Sequence, residues 1–267
     1  MAILVIMGVL LGVHLWRLPH GDLVVDFLDI GQGDAILITT PDQHRILIDG
    51  GPEQFVLEEL GEVLPFLHKK IDFMILSHPH ADHMMGLVQV LQRYEVMTVL
   101  FTGVDYGSPI YDEFLKEIRL QEIPLYVARS DQDWGFGEVE FDVLFPFESM
   151  LGKKLDNVNN GSAVIMVQYR GHEILLTGDA EHEVEEELIK VYEGELRAEI
   201  MKAGHHGSRT ASSGAFLEEV QPNIVVIQVG KDNQFEHPHP EIMGDLTRMG
   251  ITIYRNDLDG RVRLRLN

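Results

Sequence analysis

Four side chains of the types that bind metal ions lie within the six residues 78–83. His78, His80 and His83 supply imidazoles and Asp82 supplies a carboxylate, directly after the apolar run 73–76, which predicts a buried strand. In an extended segment His78 and His80 project to the same side, and the following turn can bring the other two toward the same point. Imidazoles and a carboxylate suit zinc, manganese or iron, and a carboxylate can serve a neighbouring ion. The spacing therefore predicts two metal ions. A lone His-x-His would more often be a pair of surface histidines, but four ligand-type side chains at the end of a strand argue against that alternative.

Two later segments repeat this placement of ligand-type residues at the end of an apolar run. Asp179 follows the run 174–177, and the pair His205 and His206 follows the run 200–202. Functional side chains are common in loops at strand ends. Each segment alone has a simpler explanation, since Asp179 could cap the next helix and the histidine pair could belong to a polar loop. Together with the first cluster, they favour a shared metal centre.

Length and charge limit the classes of function. A chain of 267 residues with 45% hydrophobic content can bury the core of one large domain. The formal charge of -22 repels polyanions at long range, so any contact with nucleic acid must depend on bound metal and local basic patches. The absence of cysteine excludes disulfides and a thiol nucleophile, and it is compatible with an extracytoplasmic location. No P-loop pattern is present, so an NTP-driven motor is not supported.

The first sixteen residues are almost wholly apolar and are followed by Arg17. No basic region precedes this run and no small-residue cleavage site follows it, which disfavours a removable signal peptide. Sixteen residues are slightly short for a full membrane span. We therefore expect residues 1–18 to be the end of a membrane helix or a minimal anchor, with a buried helix of a soluble protein as the alternative. Residues 22–267 are expected to form the catalytic domain.

Hydrophobic periodicity predicts a strand meander followed by alternating strands and helices, and this order occurs twice. The predicted strands cover residues 23–28, 35–39, 45–48, 73–76, 98–102, 125–127, 139–144, 163–169, 174–177, 199–202, 224–229 and 251–255. The predicted helices cover residues 52–67, 83–93, 109–122, 181–191, 212–220 and 240–249. Such a pattern is typical of an α/β protein with two mixed sheets face to face and helices outside.

With His78-x-His80-x-Asp82-His83, Asp179 and His205, the chain resembles the metallo-β-lactamase superfamily. Five further segments, at residues 25–35, 47–51, 176–181, 202–210 and 237–239, are similar to the C-terminal hydrolase-like domain of the ComEC family of competence proteins. The resemblance runs from about residue 23 to the end of the chain. It implies an αββα sandwich with a metal-dependent phosphodiesterase centre at its edge.

The resemblance also implies a ligand set for two divalent ions, zinc or manganese. The first ion would be bound by His78 and His80, the second by Asp82, His83 and His205, and both by Asp179. His206 is the competing assignment for His205.

One departure from the superfamily pattern concerns the first ion. Many members supply a third histidine between the first cluster and the bridging aspartate, but residues 84–171 contain no histidine. Asn159 and Ser162 occupy this stretch and are candidates for contact with metal or phosphate, with an ordinary turn as the alternative. Because their oxygens bind zinc more weakly than imidazole does, the first ion is expected to bind loosely or to be manganese.

Further residues are predicted to act in the reaction. Asp82 is expected to orient a water molecule activated by the two ions, and His237 to donate a proton to the leaving oxygen or to hold a phosphate. A surface loop is the alternative for His237. Lys202, His206 and Arg209 would supply local positive charge or contact the substrate. Asp34 and Asp49 lie beside glycines and are expected to tie turns together at the floor of the cleft.

Three functions are compatible with these features. The leading hypothesis is a membrane-bound nuclease with its hydrolase domain on the extracytoplasmic side, degrading the non-transported DNA strand beside the transmembrane channel of an uptake machine. The second is a hydrolase of a small phosphodiester, such as a phosphorylcholine ester or a cyclic dinucleotide, which the acidity favours. The third is a degenerate docking module on a DNA channel, which the missing histidine favours.

Overall fold

Two seven-stranded mixed sheets form the centre of the molecule in the computed structural model, which describes Gly8 and residues 21–65 and 68–267. The first sheet has the spatial order β16 (Val262–Leu266), β1 (Leu23–Phe27), β2 (Ile36–Thr39), β3 (Arg45–Ile48), β5 (Phe73–Leu76), β7 (Val99–Phe101) and β8 (Leu125–Val127). The second has the order β15 (Thr252–Arg255), β14 (Ile224–Ile227), β13 (Ile200–Lys202), β12 (His172–Leu176), β11 (Val164–Tyr169), β10 (Val139–Phe145) and β9 (Asp133–Phe136). A separate small sheet pairs β4 (Lys70–Ile71) with β6 (Glu95–Val96).

Helices cover the outer face of each sheet. The first sheet packs against α1 (Phe55–Val63), α2 (Ala81–Leu91) and α3 (Pro109–Leu120). The second packs against α4 (His182–Val191), α5 (Gly214–Val220) and α6 (Pro240–Arg248), and the short α7 (Asn256–Asp259) precedes β16. The predicted αββα arrangement is therefore confirmed.

The predicted membrane segment at residues 1–18 lies outside the described residues, apart from Gly8. Among the helices of the described part, none combines the length and the apolar character that crossing a bilayer requires.

The core between the sheets follows from strand alternation. On β1, Leu23, Val25 and Phe27 point toward the second sheet, which contributes residues such as Ile165 and Val167 from β11 to the same cluster. Each fully buried side chain of this kind stabilises the fold by roughly 1.5–3 kcal/mol relative to exposure. The two sheets are therefore held in one relative position.

The last strand, β16, is absent from the sequence-based prediction. Its alternating pattern places Val262 and Leu266 in the core between the sheets. Arg263 projects to the opposite side and donates two hydrogen bonds to Asp26 on β1, at 2.7 and 3.0 Å. Pairing with β1 joins the end of the chain to the first sheet, although the arginines of this strand make it look like an exposed tail.

Parallel strands bring the candidate site residues to one edge of the sandwich. In the first sheet β3 and β5 are parallel neighbours, and in the second β12 and β13 are parallel neighbours. The two sheets are linked at this edge because the backbone N–H of Ala163 donates to the carbonyl oxygen of Ser77 at 2.9 Å. Loops that follow these four strands therefore meet, although they lie far apart in the sequence.

Two glycines allow α2 to approach the end of β3. The N–H of Gly50 donates to the carbonyl of His83 at 2.7 Å, and the N–H of Gly86 donates to the carbonyl of Gly51 at 3.0 Å. A Cβ atom on Gly86 would lie 1.9 Å from the carbonyl oxygen of Gly50. Only hydrogen fits here, and this contact sets the position of the first turn of α2, which carries Asp82 and His83.

We expect the substitution Gly86→Ala to destabilise the fold by about 1–3 kcal/mol, because the added methyl group collides with a backbone oxygen that cannot move away easily. Gly61→Ala is the matched control: Gly61 lies in α1 with open space around it. Its replacement should stabilise the chain by about 0.5–1 kcal/mol through helix propensity. Urea unfolding of both variants measures the difference, and equal midpoints would contradict the close packing of α2.

Candidate metal centre

The carboxylate of Asp179 lies at the centre of the site. Its Oδ2 atom is 3.2 Å from Nε2 of His83, 3.4 Å from Nε2 of His206 and 3.8 Å from Nε2 of His78. The side chain is buried, and the backbone N–H of Asp179 donates to Oγ of Ser162 at 3.1 Å. One carboxylate oxygen thus faces three imidazole nitrogens from both halves of the molecule, which is the position that a bridging ligand needs.

His83 is oriented by Asp49, which follows β3. Nδ1 of His83 lies 2.8 Å from Oδ2 of Asp49, so its N–H points to that carboxylate and Nε2 points to Asp179. Asp49 also accepts hydrogen bonds from the backbone and hydroxyl of Ser77, at 2.8 and 2.5 Å. Metal-binding histidines commonly donate their second N–H to a carboxylate in this way.

His206 is held in a matching way from the second sheet. Its Nδ1 lies 2.9 Å from the carbonyl oxygen of Gln228 and 3.3 Å from Oδ1 of Asp34. Its Nε2 lies 3.4 Å from Oδ2 of Asp82 and from Oδ2 of Asp179. The nitrogen that faces the carboxylates is therefore the one left available for a metal ion.

The supporting aspartates Asp34 and Asp49 do more than the turn-tying role predicted from the sequence. Each orients an imidazole that faces Asp179. The signal for this role was present in the sequence, because each aspartate is next to a glycine beside an apolar strand, as Asp179 is.

Among the described residues, four groups of carboxylate and imidazole side chains could hold a metal ion. Each residue offers one ligand atom, and the atoms of a group all lie within 4.8 Å of one another. These groups are His78, His83 and Asp179; Asp82, His83 and His206; Asp34, Asp179 and His206; and Asp34, Asp49 and His83. The first two hold five residues of the predicted cluster. These two groups share His83, which is compatible with two neighbouring ions.

His80 and Asp82 lie at the more open side of the centre. The ring centroid of His80 is 4.7 Å from that of His78, and the residue is partly exposed. It is not part of the compact groups formed by the described residues. The side chain of Asp82 is 35% exposed, so it is accessible to solvent while also facing His206.

His205 and His206 point in different directions. Both have left-handed backbone conformations, with φ of 45° and 55°. Nδ1 of His205 lies 2.9 Å from Oε1 of Glu181, and its Nε2 is 3.9 Å from Asp179. The geometry favours His206 over His205 as the ligand, because Nε2 of His206 lies closer to Asp179 and also faces Asp82, and the assignment of His205 stays a prediction.

Lys202 lies beneath the centre and not on a substrate-facing surface as predicted. Its side chain is fully buried, and Nζ lies 2.5 Å from Oδ2 of Asp34, 2.7 Å from the carbonyl oxygen of Gly178 and 3.4 Å from Oδ1 of Asp179. Burial alone would lower the pKa of Lys202, but Asp34 and Asp179 outweigh it and raise that pKa. Lys202 therefore compensates the buried carboxylates.

The imidazoles are divided into two electrostatic classes. Burial, with repulsion from His83, lowers the pKa of His78 well below its usual value. Burial also opposes protonation of His83 and His206, but the surrounding carboxylates, Asp179 foremost, outweigh it and raise both pKa values well above the usual range. Burial would raise the pKa of Asp179, but these two imidazoles outweigh it and the pKa lies well below normal. Positive charge beside these carboxylates therefore stabilises the site, and either protons on the imidazoles or divalent ions can supply it.

The donor set fits a metal site. Nε2 of His78, Nε2 of His206 and Oδ1 of Asn159 are buried and have no hydrogen-bond partner. An unpaired buried polar atom costs about 1–3 kcal/mol, so such atoms are rare unless they serve a ligand. Nitrogen and carboxylate donors together suit zinc, manganese or iron.

Asn159 and Ser162 lie next to the centre, but their surroundings differ. Ser162 is buried, and its hydroxyl oxygen accepts the N–H of Asp179, so it positions the central carboxylate and does not face solvent. Asn159 lies in a short 3-10 turn (Val158–Gly161), where its amide nitrogen donates to Oε1 of Glu181 at 3.0 Å. Glu181 was not singled out by the sequence analysis, because one acidic residue among many at a helix start carries no distinct signal.

His237 and Arg209 lie at the rim. The ring of His237 is 5.6 Å from that of His205. Burial, followed by repulsion from His205 and His206, lowers the pKa of His237 to about 4. His237 is therefore neutral near pH 7, which suits holding a phosphate through its N–H better than the predicted proton donation. Arg209 is exposed, as a residue that contacts substrate must be.

Comparison with known proteins identifies the family of this chain. Residues 28–231 match the family model described as "Metallo-beta-lactamase superfamily". "ComE operon protein 3" of Bacillus subtilis (strain 168) is 30% identical over 258 residues, which cover 90% of this chain and 33% of that protein. "Competence protein ComA" of Neisseria gonorrhoeae is 30% identical over 252 residues, covering 93% of this chain and 33% of that protein. The chain thus spans about a third of the length of these relatives, which are competence proteins of the ComEC family.

Solved structures share the fold at low sequence identity. The metallo-beta-lactamase fold protein YhfI from Bacillus subtilis has a TM-score of 0.63 and 14% identity, covering 91% of this chain and all (100%) of that one. CmlA, a diiron beta-hydroxylase from Streptomyces venezuelae, has a TM-score of 0.58 and 16% identity, covering 92% of this chain and 54% of that one. The family match, the two sheets and the carboxylate and imidazole groups agree: this chain belongs to the metallo-beta-lactamase superfamily, and among known proteins it is similar to the competence proteins of the ComEC family.

Proposed function

We propose that this chain is a metal-dependent phosphodiesterase that hydrolyses DNA. The observation that carries the proposal is the convergence of buried carboxylates and imidazoles on Asp179, with two imidazole nitrogens left without a hydrogen-bond partner. Such an arrangement costs stability unless cations occupy it. The superfamily consists mostly of metal-dependent hydrolases, which supports a hydrolytic reaction.

Two divalent ions, zinc or manganese, fit the donor set. His78 and His80 would bind the first, Asp82, His83 and His206 the second, and Asp179 would bind both. When bound, such ions lower the pKa of a coordinated water and neutralise the charge that develops on phosphodiester oxygens.

The chain itself orients the ligands and the water. Asp49 holds His83 and Gln228 holds His206, so that Nε2 of each ring faces inward. Lys202 and Ser162 hold Asp179 from below. Asp82 is the partly exposed carboxylate of the centre and can accept a hydrogen bond from a water molecule that approaches from solvent.

DNA uptake is the setting that the relatives suggest. The chain aligns over most of its length with proteins named for competence, and it would act on the non-transported strand on the extracytoplasmic side of a cell membrane, beside a transmembrane channel. The apolar residues 1–16 support a location at a membrane. A net charge of -22 repels DNA at long range, so the attraction of phosphate must be local. The exposed Arg209 at the rim can supply it.

A smaller phosphodiester is the second candidate substrate. The overall negative charge favours it. In addition, Glu181 and Glu183 lie at the rim beside the Val158–Gly161 turn, where they would repel a long polyanion.

We expect the full chain, supplied with Mn²⁺ or Zn²⁺, to hydrolyse a DNA oligonucleotide. Asp179→Ala and Asp82→Ala should each reduce the rate by about 100-fold or more, because each removes a carboxylate of the two-ion centre. Asp131→Ala, which removes an exposed carboxylate paired with Arg129, is the control and should keep the wild-type rate. Activity that survives both centre substitutions would exclude the mechanism.

The two neighbouring histidines should differ in their effect on metal content. We expect His206→Ala to lose one ion per chain, since it removes a buried nitrogen facing Asp82 and Asp179. His205→Ala should retain both ions, because His205 faces Glu181. Elemental analysis of chains purified without chelator measures the ratio, and the opposite result would restore His205 as the ligand.

Substrate size can be tested separately. Turnover of a DNA oligonucleotide should exceed that of a small chromogenic phosphodiester at equal concentration and low ionic strength. The preference should shrink in the variant Arg209→Gln, which removes positive charge from the rim. Faster turnover of the small ester by the wild-type chain would favour the second candidate.

A further inference from the structure

An ion bound by His78 and His80 would have an incomplete set of ligands. His78, His80 and Asp179 would supply three protein atoms, whereas zinc takes four ligands and harder divalent ions take more. A further donor must come from water, from substrate or from another side chain. The search for this donor rests on the proposed two-ion function.

Asn159 offers an oxygen with no other use. The residue is 7% exposed, and Oδ1 is buried without a hydrogen-bond partner. The carboxylate of Glu181 can only accept hydrogen bonds, so the amide atom 3.0 Å from Oε1 must be the nitrogen. The same nitrogen lies 3.4 Å from the ring of His205. The chemistry of the neighbours therefore determines the amide orientation, and Oδ1 must face away from Glu181.

The turn that carries Asn159 lies between the two strand ends of the centre. The N–H of Ser162 donates to the carbonyl of Asn159 at 2.9 Å, and Oγ of Ser162 accepts the N–H of Asp179. The next residue, Ala163, donates to the carbonyl of Ser77, which directly precedes His78. The backbone next to His78 and the backbone of Asp179 are thus both tied to the turn.

Glu181 is itself held in place on several sides. Its Oε2 accepts from the amide of Asn157 at 2.8 Å, and its Oε1 faces both Asn159 and Nδ1 of His205. Its backbone N–H donates to Oδ1 of Asn160 at 3.1 Å. A carboxylate with this many partners has one orientation, so it can set the orientation of the Asn159 amide.

We propose that Glu181 is a positioning residue that turns the Asn159 amide inward, so that Oδ1 of Asn159 serves as a further ligand of the ion bound by His78 and His80. An amide oxygen is a hard donor, so this site should bind Mn²⁺ with less disadvantage relative to Zn²⁺ than a site completed by imidazole. Glu181 does not contact the ion in this arrangement.

Metal binding without substrate tests the proposal. Ion-free full chain is titrated with Mn²⁺ alone or Zn²⁺ alone, and the affinity of each site is measured by calorimetry and by competition with a chelator. We expect Asn159→Ala and Glu181→Gln to weaken one of the two sites by about 10- to 100-fold and to leave the other unchanged. Glu183→Gln is the matched control, because Glu183 contacts the exposed side of the turn through Asn160.

A reversal of polarity separates positioning from a general structural role. Asn159→Asp alone places two carboxylates together and should weaken the site, whereas Asn159→Asp combined with Glu181→Gln lets the new amide donate to the new carboxylate. The double variant should therefore regain affinity to within about threefold of wild type. Thermal unfolding of each variant identifies any loss of fold, and the polarity pair decides the result if Asn159→Ala does not fold.

The outcomes are distinct. Unchanged affinity at both sites in Asn159→Ala would overturn the ligand role, and unchanged affinity in Glu181→Gln or no recovery in the double variant would overturn the positioning role. A wild-type chain that binds no ion would overturn the proposed function, and the inference with it.

Discussion

The constraint on which this structure depends is the burial of several carboxylates at the meeting point of two sheets. Asp34, Asp49 and Asp179 are 2%, 1% and 2% exposed. An uncompensated buried charge is costly, and removing one partner of a buried pair typically costs about 3–5 kcal/mol. Lys202 supplies one fixed positive charge, while His83 and His206 supply the remainder as protonated rings or as metal ligands. The fold thus buries an excess of negative charge at the centre, and bound cations would neutralise it.

Neither half of the chain contains the site alone. The first sheet delivers Asp49 and His78 from the ends of parallel strands, and His83 from the helix that follows; the second sheet delivers Asp179 and His206. Gln228 joins the halves, because its carbonyl holds His206 while its side-chain amide donates to the carbonyls of Leu28 and Ala35 at 3.1 and 3.0 Å. The core between the sheets therefore has a functional role, since a small shift of one sheet would separate the ligands.

Local sequence features predicted most elements well. The strand 73–76 and the bounds of β8 agree with the structure, because apolar runs and helical periodicity are local signals of burial. The prediction lacks β4, β6, β9 and β16. The first two are only two residues long, and β9 and β16 are edge strands whose polar or charged residues point to solvent, so their pattern does not stand out from a loop. The choice between His205 and His206 also failed to follow from spacing, because two consecutive left-handed residues change the direction of each side chain.

The sequence alone determined the αββα fold class and the clustering of ligand-type residues at strand ends, because both follow from periodicity and from which residues succeed each apolar run. Tertiary structure alone decided the role of each polar residue. Lys202 lies under Asp179, the Asn159 amide donates to Glu181, and Asp34 and Asp49 orient imidazoles. Each of these roles depends on contacts between segments that are distant in the sequence. The physical reason is that charge compensation in a buried site is a property of three-dimensional distances, and these are not encoded in the spacing of residues along the chain.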